Sequence, residues 1–306
     1  MRTESERRWA VVLAGGDGVR LRSVTRRIAG DDRPKQFCRL LGQTTMLDQA
    51  RARAALLVPP ERTLVVLAKS HEQFYRPLLA GVPAENLIIQ HGNRGTAPAI
   101  LYSLLRIAVR EPEARIVVLP SDHYVSDDVE FMNHVERAFL ALARWPELTI
   151  LLGVTPDRAE DQYGWIEPGE TLSERPPLYR VGRFWEKPAP RVALAVWARG
   201  ALWNSFVSVA RVTSLLALIE RSAPALYRAF IGATDALGAP AENEAFRKLY
   251  TGLTPADFSR DVLAADRSDL AVLPVSGVDW SDVGDPARLY ALAGTHAREL
   301  RVEALA

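Results

Sequence analysis

The stretch Trp9-Ala-Val-Val-Leu-Ala14, running directly into Gly15-Gly16-Asp17-Gly18-Val19-Arg20-Leu21, decides the fold. A short unbroken apolar run ending in glycines reads as a β-strand covered on both faces. The glycines after it let the backbone approach a ligand closely and turn its N–H groups toward phosphate oxygens. Two familiar phosphate loops are excluded. A dinucleotide fingerprint needs a third glycine three residues after the second, and counting from Gly16 and Gly18 that position is Leu21. A P-loop closes on Gly-Lys-Ser/Thr, and no lysine is nearby. On these residues alone, a tight strand-to-helix turn is an equal reading.

Working outward, similar apolar runs recur at Thr63–Ala68, Asn86–Gln90, Ala114–Leu119 and Leu148–Gly153. Helical patterns lie between them. Thr44 is placed to cap a helix with Met46, Leu47, Ala50, Ala54 and Leu57 on one face. Thr96 is placed to cap another, with Pro98 in its first turn and Ile100, Leu101, Leu104, Leu105 and Ala108 on one side. Alternation of this kind predicts an α/β fold, a mostly parallel mixed sheet flanked by helices. The pattern loosens after Gly153. A polar segment, Arg158 to Pro177, holds one expected strand at Tyr163–Ile166; longer strands at Tyr179–Trp185 and Leu202–Ala210 are expected to run antiparallel. A helical region from Val212 to about Tyr250, a strand at Leu270–Val275 and a final helix complete the chain. No Gly-, Ser- or Pro-rich linker divides it, so a single domain with a small C-terminal extension is expected.

Composition narrows the class. The chain has 306 residues, 48% of them hydrophobic, which suits one large domain or two modest ones and excludes disorder. With 38 basic against 37 acidic residues the net charge is +1, without the basic excess of a dedicated nucleic-acid binder. Cys38 is the only cysteine, so no internal disulfide forms and a reducing compartment is expected. The charged start, Met1 to Arg8, lacks the apolar core of a signal peptide, and every apolar run is too short to cross a bilayer. A cytoplasmic location without membrane contact is expected.

Further segments carry chemistry. Leu119-Pro120-Ser121-Asp122-His123 follows a strand, at the edge where open α/β sheets bind ligands. Asp122 suits a divalent cation, which takes hard oxygen ligands, and equally suits a turn or N-cap. No Cys/His cluster with zinc spacing accompanies His123. Far away, Val278-Asp279-Trp280-Ser281-Asp282-Val283-Gly284 supplies a second aspartate. Also present are Arg33-Pro34-Lys35-Gln36-Phe37, Asn93-Arg94-Gly95-Thr96-Ala97-Pro98, Tyr163-Gly164-Trp165-Ile166, Phe184-Trp185-Glu186-Lys187-Pro188 and Trp203-Asn204-Ser205.

In this order, from about Val11 to Leu289, these segments resemble the sugar-1-phosphate nucleotidyltransferases, most nearly their mannose-1-phosphate guanylyltransferase branch. The resemblance implies transfer of GMP from GTP to mannose 1-phosphate, giving GDP-mannose and pyrophosphate. It implies nucleotide contacts from Leu13, Ala14, Gly15, Gly16, Gly18, Arg20, Asn93, Thr96, Ala97, Pro98, Ser121 and Asp122. Arg20, Lys35 and Asp122 are implied as the catalytic groups, and Asp122 with Asp282 as holders of Mg²⁺. Sugar-phosphate contacts are implied for Tyr163, Gly164, Glu186, Lys187 and Asn204. Residues 1–8 are then a tail, 9–290 the catalytic domain (nucleotide part 9–153, sugar-phosphate part 154–290) and 291–306 a C-terminal helix. Expected partners are the two substrates and a second copy of the chain, meeting through the region Val212–Tyr250. The β-helix and isomerase half of some relatives have no counterpart in the sequence. Two departures stand out. Phe206 replaces the glycine that relatives often carry two residues after the Asn of Trp-Asn, implying a reshaped sugar pocket. Ser259-Arg260-Asp261 matches a further family segment only loosely. A related enzyme for another base or hexose 1-phosphate, or a non-catalytic nucleotide-sugar-binding protein, would use the same scaffold.

Overall fold

The computed structural model describes residues 7–295. Its nine-stranded sheet begins with β1 (Arg8–Leu13), flanked by β2 (Thr63–Ala68) on one side and β4 (Arg115–Pro120) on the other. β3 (Leu87–Gln90) lies outside β2, and these four strands run parallel. Their apolar runs are continuous because both faces are covered. Beyond β4 the sheet turns mixed. β9 (Leu202–Arg211) lies antiparallel between β4 and β6 (Thr149–Val154), and β10 (Leu270–Val275) pairs parallel to β6. The hairpin of β7 (Gly164–Glu174) and β8 (Pro177–Glu186) closes the edge, with β8 antiparallel to β10. β5 (Tyr124–Val125) and β11 (Trp280–Ser281) form a separate small ladder.

Alternate side chains of β1 divide the core. Ala10 and Val12 face one layer, packed by α2 (Met46–Ala55), α5 (Asp128–Ala141) and α6 (Pro190–Ala198). Trp9 and Val11 face the other, packed by α4 (Thr96–Arg110), α7 (Val212–Ser222), α8 (Pro224–Ile231) and α9 (Glu242–Gly252). A third cluster joins Leu21 and Val24, Leu40, Leu41 and Met46 to Val283 and Leu289, so α1 (Arg22–Ala29) and α10 (Pro286–Thr295) are stapled together. The short α3 (Glu72–Tyr75) follows β2.

Two capping expectations are corrected. Thr45, not Thr44, caps α2: its hydroxyl accepts from Asp48 N, and the Asp48 carboxylate accepts from Thr45 N, a reciprocal box that Thr44 cannot make one residue earlier. Gly95 occupies the cap position of α4, and Thr96 is its first residue. Arg8, expected in the tail, belongs to β1. The final helix starts at Pro286; the expected helical residues 296–306 lie outside the described residues, as do residues 1–6 of the tail.

The chain order places the site. From β1 the sheet grows toward β2 and β3 on one side and toward β4 on the other, a switch point whose carboxyl ends form a crevice. The glycine loop leaves β1 there, and Asp122 leaves β4 beside it.

Candidate active site

The glycine loop is held from below. Gln36 Nε2 donates to the carbonyls of Ala14 (3.0 Å) and Gly16 (2.7 Å), turning those oxygens inward. The N–H groups of Gly15 and Gly16 meet no acceptor among the described residues. Gly18 takes φ +58 where the loop folds onto Pro34 and Lys35; a Cβ there would stand 3.1 Å from Lys35 N. At Gly15 a Cβ would stand 2.6 Å from Gln90 Nε2, so a larger residue there would push the Gln90 amide aside.

Lys35 sits at the junction of three segments. Its buried ammonium donates to the main-chain carbonyls of Asp282 (2.6 Å) and Val283 (2.9 Å) and pairs with Asp122 Oδ2 at 3.2 Å. The two distant aspartates are thereby brought to one lysine, Asp122 through its carboxylate and Asp282 through its backbone. Burial drives the Asp122 carboxyl upward, but Lys35 and His123 together outweigh it and hold the group below its usual range, ionised. His123 packs edge-on against Trp280, 5.1 Å between centroids, and burial pushes it down to about 4, so it is neutral at pH 7. Asp282 Oδ1 accepts from Arg288 Nη1 at 2.8 Å.

Asp122 and His123 border a cavity of about 270 Å³ lined also by Leu13, Gly15, Gly16, Gln90, Gly95, Thr96 and Phe206. Asn93 lines it too, though its Nδ2 donates to Asp17 Oδ2 (2.7 Å) and its Oδ1 accepts from Gly95 N (3.1 Å). Asp17 in turn lies 3.2 Å from His71 Nε2. Thr96 reaches across rather than capping: its hydroxyl accepts from Phe258 N (2.8 Å) and faces Asp257. Gly95 takes φ +87, and a Cβ there would stand 2.2 Å from the Ala256 carbonyl. Ala97 N donates to that same carbonyl, which leaves Ala97 and Pro98 buried against the 256–258 segment. Ser121 is buried as well, its hydroxyl donating to the Leu13 carbonyl and tying β4 to β1. Arg20 is exposed on the turn just past the loop.

The expected sugar-phosphate residues divide. Gly164, Glu186 and Asn204 converge: a Cβ on Gly164 would stand 3.1 Å from both Asn204 Cβ and Glu186 Oε2. Burial pushes the Glu186 carboxyl above its usual range despite Lys187, whose Nζ lies 3.2 Å from Glu186 Oε1. Tyr163 is instead a buried post, edge-on to Trp203 and Trp280 with its hydroxyl 3.5 Å from Ser281 Oγ. Phe206 joins the two sets. β9 bulges against β6 between Ser208 and Asn204, Phe206 takes φ +66 in that bulge, and its N–H donates to Asn204 Oδ1 (3.1 Å). Its ring rests on Phe258 and lines the cavity beside the glycine loop. Lys187, Phe206 and Val283 are the described non-glycine residues at positive φ, and all three stand in or next to the site.

Residues that the motif reading passed over include Gln90, Asp17, His71 and Arg288. Gln90 ends β3 directly before the Asn93 segment, and its position facing the loop was the available signal.

The chain belongs to the nucleotidyl transferase family, matching it over residues 9–299. Similar proteins include the mannose-1-phosphate guanylyltransferases of Salmonella muenchen, 29% identical over 287 residues, and of Escherichia coli strain K12, 30% identical over 297 residues. Those alignments take in 92% and 93% of this chain, which spans 58% and 59% of the relatives' length. A crystal structure described as a mannose-1-phosphate geranyltransferase from Thermus thermophilus superposes with a TM-score of 0.77 at 29% identity, covering 93% of this chain and 79% of that one.

Proposed function

We propose that this chain transfers GMP from GTP to mannose 1-phosphate, releasing pyrophosphate and forming GDP-mannose. The observation that carries this reading is the convergence at Lys35: the glycine loop packs on its main chain at Gly18, while Asp122 and the Asp282–Val283 backbone meet around its ammonium, at the carboxyl ends of β1 and β4. The names of the similar guanylyltransferases support the choice of base and sugar.

The attacking phosphate oxygen is anionic at pH 7, so the reaction needs positioning and charge neutralisation more than a general base. The open N–H groups of Gly15 and Gly16 suit phosphate oxygens. Arg20, at the loop's end, suits the departing pyrophosphate. Gln90 Oε1 accepts from the Tyr250 hydroxyl (3.2 Å), which leaves its Nε2 to donate to an acceptor such as guanine O6. Beyond Phe206, Glu186 and Asn204 face sugar hydroxyls, and Lys187 suits the sugar phosphate.

The donor set fits Mg²⁺. An ionised Asp122 and the Asp282 carboxylate are hard oxygen donors, and no third acidic or imidazole group closes a cage among the described residues. Mg²⁺ commonly binds through one or two carboxylates plus substrate phosphates. When bound it supplies Lewis-acid charge neutralisation at the phosphates.

The test is pyrophosphate release from a panel of nucleoside triphosphates and hexose 1-phosphates, with and without Mg²⁺. GTP with mannose 1-phosphate is expected to be the fastest pair, and chelation to abolish turnover. Preference for another pair overturns the substrate assignment, and turnover that survives chelation removes the two-aspartate metal site.

A further inference from the structure

Arg288 belongs to none of the family motifs, yet its side chain is engaged on every side. It lies in the first turn of α10, where its N–H donates to Asp285 Oδ1 at 3.0 Å. Its guanidinium, 9% exposed, reaches Asp282 Oδ1 at 2.8 Å, Glu160 Oε1 at 3.0 Å and Asp285 Oδ2 at 3.4 Å. One face lies over the Tyr163 ring, 4.5 Å from its centroid. Gly284 makes the contact possible, since a Cβ there would stand 2.7 Å from both Arg288 Nη1 and Asp282 Oδ2.

Asp282 is therefore fixed at two points. Lys35 takes its main-chain carbonyl, and Arg288 takes Oδ1 of its carboxylate. Oδ2 has no hydrogen-bond partner among the described residues and is the oxygen left for a cation. A planar fork that meets three carboxylates with three different nitrogens fixes the direction from which each oxygen is held, which a lysine at the same place does not do.

We infer that Arg288 is a positioning residue that orients the Asp282 carboxylate for a divalent cation, through a clamp completed by Glu160 and Asp285. The inference rests on the reading of Asp122 and Asp282 as the metal pair. Removing a partner that orients a metal ligand typically weakens metal binding about 10–100-fold.

The test is titration of the purified chain with Mn²⁺ alone, free ion read by electron paramagnetic resonance, with circular dichroism as the check on folding. Arg288→Lys is expected to bind Mn²⁺ about 10–100-fold more weakly than wild type while remaining folded. Gly284→Ala, whose methyl would stand 2.7 Å from both Arg288 Nη1 and Asp282 Oδ2, is expected to give at least a similar loss, and wild-type binding by it overturns the inference if Arg288→Lys fails to fold. Asp282→Asn calibrates the reading. If Asp282→Asn loses Mn²⁺ while Arg288→Lys and Gly284→Ala bind as wild type, the clamp has no positioning role and the inference fails alone. If Asp282→Asn itself binds as wild type, the metal-pair reading fails and takes the inference with it.

Discussion

Replacing Phe206 by alanine and by glycine separates a strained backbone from a packed ring. Both variants lose the ring that rests on Phe258 and lines the cavity beside the glycine loop. They differ only in a Cβ at φ +66. Left-handed backbone costs a non-glycine residue roughly 1–2 kcal/mol, whereas glycine costs about 0.4–1 kcal/mol through the extra freedom of the unfolded chain. Elsewhere in a strand alanine is the more stable of the two; here the difference reverses, with Phe206→Gly more stable than Phe206→Ala by about 0.5–1 kcal/mol. Urea unfolding followed by tryptophan fluorescence reads this as a few tenths of a molar in midpoint at an m value of about 2–3 kcal/mol/M. The ring itself is only half-buried, so its loss costs less than the roughly 3–5 kcal/mol of a fully buried phenylalanine. An alanine variant as stable as the glycine variant, or more so, refutes the claim that the bulge stores strain at this position.

Other expectations follow from the same geometry. Lys35→Ala is expected to slow pyrophosphate release about 10²–10³-fold and to lower stability, because it strips two main-chain carbonyls and Asp122 of their common donor; near-wild-type turnover would assign the charge elsewhere. Gly95→Ala drives a methyl into the Ala256 carbonyl, so KM for GTP is expected to rise more than kcat falls, and an unchanged KM contradicts a role for this segment in the nucleotide cavity. His123 titrates near 4 when folded and near 6.5 when unfolded, so the unfolded chain binds the extra proton between those values. Stability is thus complete above about pH 6.5 and declines toward pH 4, by a few kcal/mol at most, and His123→Gln should flatten that part of a pH–stability profile. Cys38 is buried and its thiol is pushed up by burial, so Cys38→Ser should remain active and the native chain should resist iodoacetamide.

Much of the fold was legible from local pattern. The strand at Thr63–Ala68 matches its expected limits, and the core strands β1, β4 and β6 lie within a residue of theirs, because continuous apolar runs between glycines and polar turns leave little choice. The helix over Asp128–Ala141 was also readable and received no element, although Phe131, Met132, Val135, Ala138 and Phe139 recur at helical spacing and Asp127 caps it. The capping error at Thr44 has a plain cause: adjacent threonines look alike until the partner at Asp48 is counted. Within the site, residue types pointed to segments that the fold brings together but not to each side chain's contacts. Lys35, Ser121 and Asn93 carry ligand-like groups, yet in the fold each is engaged by protein atoms. The Arg288 clamp depends on Glu160 and Asp282, which are far apart in the chain and meet only when α10 returns beside Tyr163. No local pattern announces such a meeting.

The position of β9 bears on how the two groups of site residues are held together. One strand is hydrogen-bonded to β4 on one side and β6 on the other, and it carries Asn204 and Phe206 with a single residue between them. The earlier parallel half and the later mixed half of the sheet are therefore stitched into a common ladder instead of being joined by a hinge. Swinging one half against the other would tear that ladder, so adjustment to substrate has to occur in the segments that leave the strand ends. The spacing between the Gly164, Glu186 and Asn204 cluster and the cavity lined by Phe206 is then set when the sheet folds.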